Sequence, residues 1–246
     1  MENLNPLISI ITAVKNGEKH LEECFESLQN QSYKNFEHIV IDGGSTDRTL
    51  EIINNHKSKI KFFSSQKDEG IYDGFNKGME RASGEYLGFL NSDDILLPDA
   101  LMTLKKYIVN KNYPDFIFGS VRKHWGILHG YKPWKIKFSW GFYSSHSTGF
   151  YIKNSSSKII GKYDLRYKYS SDYDYFYRMI VKHKMRGVAT KKNEIFGVFR
   201  RGGFSSKISF YDHFTEEIKI RLNNKQNRIL ILLIYIYKYI KNLSKL

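Results

Sequence analysis

The sequence predicts an α/β fold in which a mostly parallel sheet is flanked by helices on both faces. Three observations carry that prediction. Residues 7–14, Leu-Ile-Ser-Ile-Ile-Thr-Ala-Val, form a nearly continuous apolar, β-branched run, as expected of a strand covered on both sides. Strand-like and helix-like segments then alternate four times at short loop spacing, the rhythm of parallel strands joined by crossover helices. Finally, 246 residues with 41% hydrophobic and 15% aromatic content hold enough apolar material for one large α/β domain, or a core domain with an appended piece.

The elements follow in order. Lys15-Asn16-Gly17-Glu18 makes the first turn, and Leu21, Cys24, Phe25 and Leu28 then recur at the spacing of an amphipathic helix. A second strand at 36–41 stops at Asp42-Gly43-Gly44. Ser45-Thr46-Asp47 reads as the N-cap of the next helix, whose apolar face is Thr46, Leu50 and Ile53. Residues 60–64 are a third strand, with Phe75, Met79 and Ala82 marking the helix after it. Residues 84–94 read as a short hydrophobic strand ending abruptly in Asp93-Asp94, and a helix over 98–111 opens on Pro98. Beyond Asn112 the rhythm changes. A strand at 116–119 leads into an aromatic, basic and irregular section through Tyr143. Then come a strand at 147–152, a helix at 172–183, short strands at 187–189 and 195–199, and a helix at 209–223. No repeat or low-complexity linker intervenes, so residues 1–225 are expected to form one domain with halves 1–112 and 113–225, followed by a helical tail over 226–246.

The formal net charge of +14 points to an anionic partner: nucleotide phosphates, acidic lipid headgroups or nucleic acid. Eighteen Tyr and seventeen Phe beside 39 Lys and Arg would suit base stacking, but no nucleic-acid motif accompanies them. The aromatics therefore read as core, and nucleic acid is not the expected partner. The single cysteine, Cys24, excludes an intramolecular disulfide and suggests no cysteine-based metal site. The first residues lack the pattern of a signal peptide, so a cytoplasmic location is expected. Residues 229–237 are apolar almost all round, yet the run falls far short of a spanning helix. Either this tail packs on the body or on another copy, forming a homo-oligomer, or it lies at the inner membrane face with Tyr and Lys at headgroup level.

The chemistry gathers at strand ends. Thr12-Ala13, Asp42 and Asp93-Asp94 fall on one predicted edge, where open parallel sheets bind ligands. Two desolvated carboxylates repel unless a partner neutralises them, and a divalent cation does so while leaving positions for phosphates. A solvated turn capping the following helix is the other reading of the same residues. Gly43 and Gly44 permit close backbone approach. Neither G-x-x-x-x-G-K-[ST] nor G-x-G-x-x-G after the first strand occurs, which excludes a P-loop and disfavours a dinucleotide site.

Taken together, these motifs resemble family 2 glycosyltransferases. The resemblance rests on Ile10-Ile11-Thr12-Ala13-Val14-Lys15-Asn16, on Ile41-Asp42-Gly43-Gly44-Ser45-Thr46-Asp47, and on Asp68-Glu69-Gly70-Ile71-Tyr72-Asp73-Gly74-Phe75-Asn76-Lys77-Gly78. The segment 84–94 continues the series in the family's order and spacing. The similarity covers about residues 6–205, and the nearest branch is the bacterial, non-processive one of cell-surface polysaccharide assembly.

The resemblance implies a GT-A-type, Rossmann-like fold binding a nucleotide-diphospho-sugar donor, with Mn²⁺ or Mg²⁺ at the D-x-D-like motif. Residues 1–112 would be the donor half and 113–225 a mixed α/β acceptor half. Asp93 would be the metal ligand, assisted by Asp94, with Ser92 and Asp94 also near the donor; Asn91 stands where many relatives have Asp. Thr12, Ala13 and Asp42 match positions that hold the nucleoside. Asp68, Asp73, Asn76 and Lys77 match the donor-pocket segment, with Lys77 toward a phosphate and Asp73 toward the ribose or sugar. Asp172 takes the place of the general base, with Asp174 as its fallback and Ser171 replacing the usual Glu. His146 would approach the acceptor or diphosphate, and Arg200 and Arg201 belong to a basic, glycine-containing loop over the diphosphate.

The implied reaction is a metal-dependent, inverting transfer of a hexose-type sugar to a hydroxyl of a growing capsule, O-antigen or exopolysaccharide, on a lipid-diphosphate-linked acceptor. The Q-x-x-R-W motif of processive members is missing, so one sugar is added rather than a polymer. Two other classes compete. A sugar-phosphate nucleotidyltransferase would carry G-x-G-x-R where Ala13-Val14-Lys15-Asn16-Gly17 stands, and a non-catalytic basic binding module would need only the charge.

Overall fold

The structure is a computed structural model that describes residues 4–138, 147–200 and 208–242. Its first half runs β1 (Ile8–Val14), α1 (Leu21–Gln29), β2 (Phe36–Asp42), α2 (Thr49–Asn55), β3 (Phe62–Ser65), α3 (Ile71–Arg81) and β4 (Tyr86–Phe89). Next come β5 (Ile95–Leu96), α4 (Ala100–Asn110), β6 (Phe116–Phe118), β7 (Ser120–Lys123), β8 (Gly126–Leu128) and α5 (Lys135–Phe138). The chain continues through β9 (Phe150–Lys153), α6 (Asn154–Ile160), α7 (Ser171–Tyr177), β10 (Gly187–Ala189) and β11 (Ile195–Val198), and ends in α8 (Phe210–Asn223) and α9 (Arg228–Lys241).

β1 lies inside the main sheet because both of its faces are apolar. Ile8, Ile10 and Val14 pack with Leu21, Cys24, Phe25 and Leu28 of α1. Ile11 and Ala13, on the opposite face, join Phe75 of α3 and Phe89 of β4. Each large apolar side chain buried in this way contributes roughly 1.5–3 kcal/mol.

Among the described residues the main sheet has seven strands in the order β10-β6-β9-β4-β1-β2-β3. β1, β2, β3 and β4 run parallel, as do β6 and β10, while β9 is antiparallel to both of its neighbours. The chain moves outward from β1 through β2 to β3 and then returns to the far side of β1 as β4. That reversal opens a crevice at the carboxyl ends of β1 and β4, the place where such sheets bind ligands.

A second sheet, β5-β11-β7-β8, arises largely from the section expected to be irregular. β5 pairs antiparallel with β11, so the residues just after Asp94 lie beside those just before Arg200. Other expectations need adjustment. Residues 147–149 form a 3₁₀ turn and the strand begins at Phe150. The helix after β2 begins at Thr49, with Thr49, Ile52 and Ile53 buried and Thr46 exposed. Ser45 and Thr46 instead lace two loops together, since the Asn16 N–H donates to Ser45 Oγ at 2.8 Å and the Thr46 N–H to Asn16 Oδ1 at 2.8 Å. The tail predicted over 226–246 is helical in α9, which packs against α8.

Candidate active site

The turn after β4 divides the acidic pair. Asp94 is fully buried. Its Oδ2 accepts from Thr148 Oγ1 at 2.7 Å and from Asn91 Nδ2 at 3.2 Å, and its Oδ1 accepts from the Arg200 N–H at 3.2 Å. Asp94 is thus turned into the protein, where it ties the β4 loop to the 147–149 turn and to the segment after β11. Both oxygens of Asp94, expected to serve as a metal ligand and donor contact, face protein donors. Asp93 is half-buried at the end of the same strand. The buried Cys24 thiol, pushed well up by desolvation and by the charges of Asp94 and Asp93, sits behind both carboxylates, its Sγ 3.4 Å from the Asn91 carbonyl.

Asn91 explains how Asp94 is held. Its amide nitrogen donates to Asp94 and to Ser147 Oγ at 2.9 Å, so its orientation follows from its partners. An aspartate here would set a second negative charge about 3 Å from Asp94, repelling it instead of donating to it. The amide oxygen, Oδ1, is buried without a protein partner. A buried acceptor without a donor costs about 1–3 kcal/mol. An oxygen of this kind, two residues before Asp93 in the same turn, suits a hard divalent cation, which takes oxygen ligands and fills its remaining positions with substrate phosphates and water. Among the described residues no cluster of three His, Cys, Asp or Glu side chains forms, so a cation here would depend on oxygens beyond the protein's own. The donor set fits such an ion.

The β1 and β2 ends shape the neighbouring wall. Asp42 is fully buried and accepts from the N–H groups of Gly44 (3.1 Å) and Ser45 (3.0 Å), from Ser45 Oγ, and from Ser65 Oγ at 2.6 Å. With those donors in place Asp42, expected as a nucleoside contact, builds the loop at the β2 end. Thr12 likewise faces inward, its Oγ1 3.0 Å from His38 Nε2, so its side chain is not part of the wall. Ala13 is buried against Gly74, where an added β-carbon would come within 2.7 Å of the Ala13 methyl. At Gly43 an added β-carbon would meet the Asp68 carboxylate at 2.6 Å. Asp68 is lodged over the β2 end by that missing side chain, and burial raises its pKa. Ser92 flanks Gly17 of the first loop.

Asp73 and Lys77 pair with each other at 2.8 Å on α3 and are only partly exposed. Lys77 also lowers the Asp68 pKa, so these three charges form one cluster. Asn76 does not join them. It is buried, donates to the Tyr163 carbonyl at 2.9 Å and accepts from the Tyr163 N–H at 2.8 Å, so both ends of the amide expected in the donor pocket are engaged with the backbone.

On the opposite side, α7 presents Asp172 in its first turn, half-buried, with its Oδ1 accepting from the Tyr173 N–H at 2.8 Å. Asp174 is buried, paired with Arg178 at 2.8 Å and bonded by Asn224 Nδ2 at 2.8 Å. This holds α7 against α8 and engages both oxygens of Asp174, the fallback base. The Arg200 guanidinium is turned to α1, donating to His20 Nδ1 at 2.7 Å and to Glu23, instead of into the crevice. His146 and Arg201 lie outside the described residues.

Lys123 of β7, partly exposed, is a cation that the sequence reading did not single out. Burial pushes its pKa down while Asp94 and Asp172 pull it up, so one ammonium senses the carboxylates at the β4 end and at the α7 start. It also lies 4.3 Å from the centroid of the Phe199 ring. No motif marks it. Its segment looked like irregular basic chain, and only β7 carries it to the site.

With this geometry in view, the chain matches the family described as glycosyl transferase family 2 over residues 9–172. A glycosyltransferase of Methanocaldococcus jannaschii is 30% identical over 238 residues, covering 90% of this chain and 81% of that one. A PGL/p-HBAD biosynthesis glycosyltransferase of Mycobacterium bovis is 30% identical over 207 residues, covering 78% and 79%. Among solved structures, S. aureus TarS (residues 1–349, in complex with UDP-GlcNAc) superposes with a TM-score of 0.70 at 19% identity, covering 93% of this chain and 70% of that one. The mannosyltransferase PcManGT from Pyrobaculum calidifontis, in complex with GDP-Man and Mn²⁺, gives 0.63 at 16% identity, covering 87% and 65%.

Proposed function

Since the chain belongs to glycosyl transferase family 2 and is a glycosyltransferase of GT-A fold, we propose that it moves a hexose-type sugar from a nucleoside-diphosphate donor to a hydroxyl of a growing cell-surface glycan, carried on a lipid diphosphate. Membership in this family displaces the nucleotidyltransferase reading. The single observation that carries the site is the turn after β4, where Asp94 is locked inside and the buried Asn91 Oδ1, two residues before Asp93, has no hydrogen-bond partner. Asp93 and Asn91 Oδ1 would hold Mn²⁺ or Mg²⁺. That ion, when bound, supplies positive charge to the leaving diphosphate.

The chain's own residues do the rest. The ends of β1 and β2, with Asp68 seated over Gly43, form the wall that would receive the nucleoside. The Asp68–Asp73–Lys77 cluster meets the ribose and phosphates, and the half-buried Lys123 adds positive charge coupled to Asp94 and Asp172. Asp172 accepts the proton of the attacking hydroxyl as that oxygen bonds to the anomeric carbon. The bond from that carbon to the diphosphate oxygen breaks in the same step, its electron pair leaving with the diphosphate, so the configuration inverts. PcManGT with GDP-Man and TarS with UDP-GlcNAc support the donor class.

The test is turnover on a panel of UDP- and GDP-sugars with Mn²⁺, scored by released nucleoside diphosphate and by the anomeric configuration of the product. Asp172→Asn is expected to lower kcat by about 10²–10⁴-fold with donor binding retained. Full activity of that variant, or a retained configuration, would contradict the mechanism.

A further inference from the structure

The carboxyl-terminal helix carries a surface that the transfer reaction does not use. α9 docks through Ile231, Ile234 and Lys238, which are buried. On the opposite side Ile229, Leu232, Leu233, Ile236 and Ile240 recur at i, i+3, i+4, i+7 and i+11, a single aliphatic stripe. These five are 45–70% exposed. Solvent-facing stripes of this size mark interaction surfaces.

α5, close to the start of α9, carries exposed aromatic side chains as well. Arg221 Nη1 and Gln226 Nε2 both donate to the Lys137 carbonyl, at 2.8 and 2.6 Å, which anchors α5 beside the turn that begins α9. Trp134 and Phe138 of α5 are exposed at 58% and 52%, around the single buried residue Ile136. Lys132, Lys135 and Lys137 alternate with them in the sequence.

Charge selects the occupant. No Asp or Glu occurs after Glu217, and none lies between Asp115 and Asp164, so α9 and the α5 segment are both drawn from acid-free stretches. Within the tail, Lys225, Arg228 and Lys241 sit around the stripe and are exposed. Two copies of a chain with net charge +14, meeting through this face, would set like charge against like. An anionic headgroup layer is complementary, and an aliphatic stripe edged by Tyr and Lys is how an interfacial helix seats itself. Among the described residues no helix is long and apolar enough to cross a membrane, so α9 would lie in the surface plane.

We propose that the α5–α9 face docks the enzyme onto an anionic lipid bilayer, independently of the donor site. The experiment is flotation of the full chain with vesicles of phosphatidylcholine containing phosphatidylglycerol, or of phosphatidylcholine alone. Wild type is expected to float with the anionic vesicles and to release as salt rises. The paired exposed substitutions Leu232→Ser and Ile236→Ser should weaken binding by roughly tenfold or more without moving the melting temperature, and Trp134→Ala should weaken it severalfold. A wild-type chain that ignores anionic vesicles overturns the proposal, as does a paired variant that floats as well as wild type. A homodimer that the paired variant dissolves, while vesicles go unbound, would assign the face to a second copy. None of these outcomes depends on sugar transfer, so a failure here is distinguishable from a failure of the reaction.

Discussion

At the residue scale, the site is organised by which carboxylates face inward. The acidic and polar motifs were legible as a set, because their order along the chain matched strand ends. Which members were already engaged was not, since Asp42, Asn76, Asp94 and Asp174 find their partners up to 106 positions away, as Asp94 does with Arg200. Removing the Asp94 carboxylate leaves Thr148 Oγ1 and the Arg200 N–H without their acceptor. Asp94→Ala should therefore destabilise the fold by about 1–3 kcal/mol. Denaturant midpoints measure the loss, and an unchanged midpoint would contradict the buried, fully engaged placement of Asp94. His38 offers a second check. Burial, with a smaller contribution from His56, pushes its pKa down to about 3, and the neutral ring packs edge-on to Phe25 at 4.9 Å. As pH falls below about 6.5 the unfolded chain takes up this proton and the folded chain does not. Stability is thus fully present above that pH and drains toward pH 3 by up to about 1.4 kcal/mol per unit. His38→Gln should flatten the acid limb of a stability–pH curve by about one proton, whereas a slope like that of wild type would mean that the ring is not buried neutral.

At the element scale, periodicity carried the prediction wherever a helix or strand had one apolar face. α1, α8 and the strand pairs around β1 begin and end close to where the residue pattern placed them. Short strands made by long-range pairing were not visible in this way: β5 has two residues and β8 three, and both exist because β11 and β7 lie beside them. The attachment of α9 was also hidden. Glu217 accepts from Arg221 Nε at 2.8 Å and from Lys238 Nζ at 2.7 and 2.6 Å, inside the α8–α9 contact, and Arg221 lies over the Tyr173 ring. Desolvation pushes the Lys238 pKa down to about 8 even with Glu217 opposing it. Glu217→Gln would strand two buried cations, at a cost of about 3–5 kcal/mol. Lys238→Met, which leaves Glu217 paired with Arg221, should cost less. Urea denaturation together with limited proteolysis of the tail measures both, and a Glu217→Gln protein with an intact, protected α9 would contradict this account of the docking.

At the scale of the whole molecule, the decisive feature is the reversal of strand order about β1. It brings the β1 and β4 ends to one crevice, while the second sheet carries Lys123 and Arg200 to its rim. The parallel half was readable from alternating strand and helix patterns. The second sheet was not, because it threads together β5, β7, β8 and β11 from separate stretches of chain. The central claim is that Asp93 at this crevice holds a divalent ion together with a nucleoside diphosphate. It is tested most directly by thermal denaturation with UDP or GDP, with and without Mn²⁺, on wild type, Asp93→Asn and Asp172→Asn. At a ligand concentration about 100-fold above Kd, stabilisation by about 2.7 kcal/mol should raise the wild-type melting temperature by roughly 5 °C or more. The expected result is a shift that requires the metal, persists in Asp172→Asn and disappears in Asp93→Asn. A shift of equal size without metal, or one undiminished in Asp93→Asn, would contradict it.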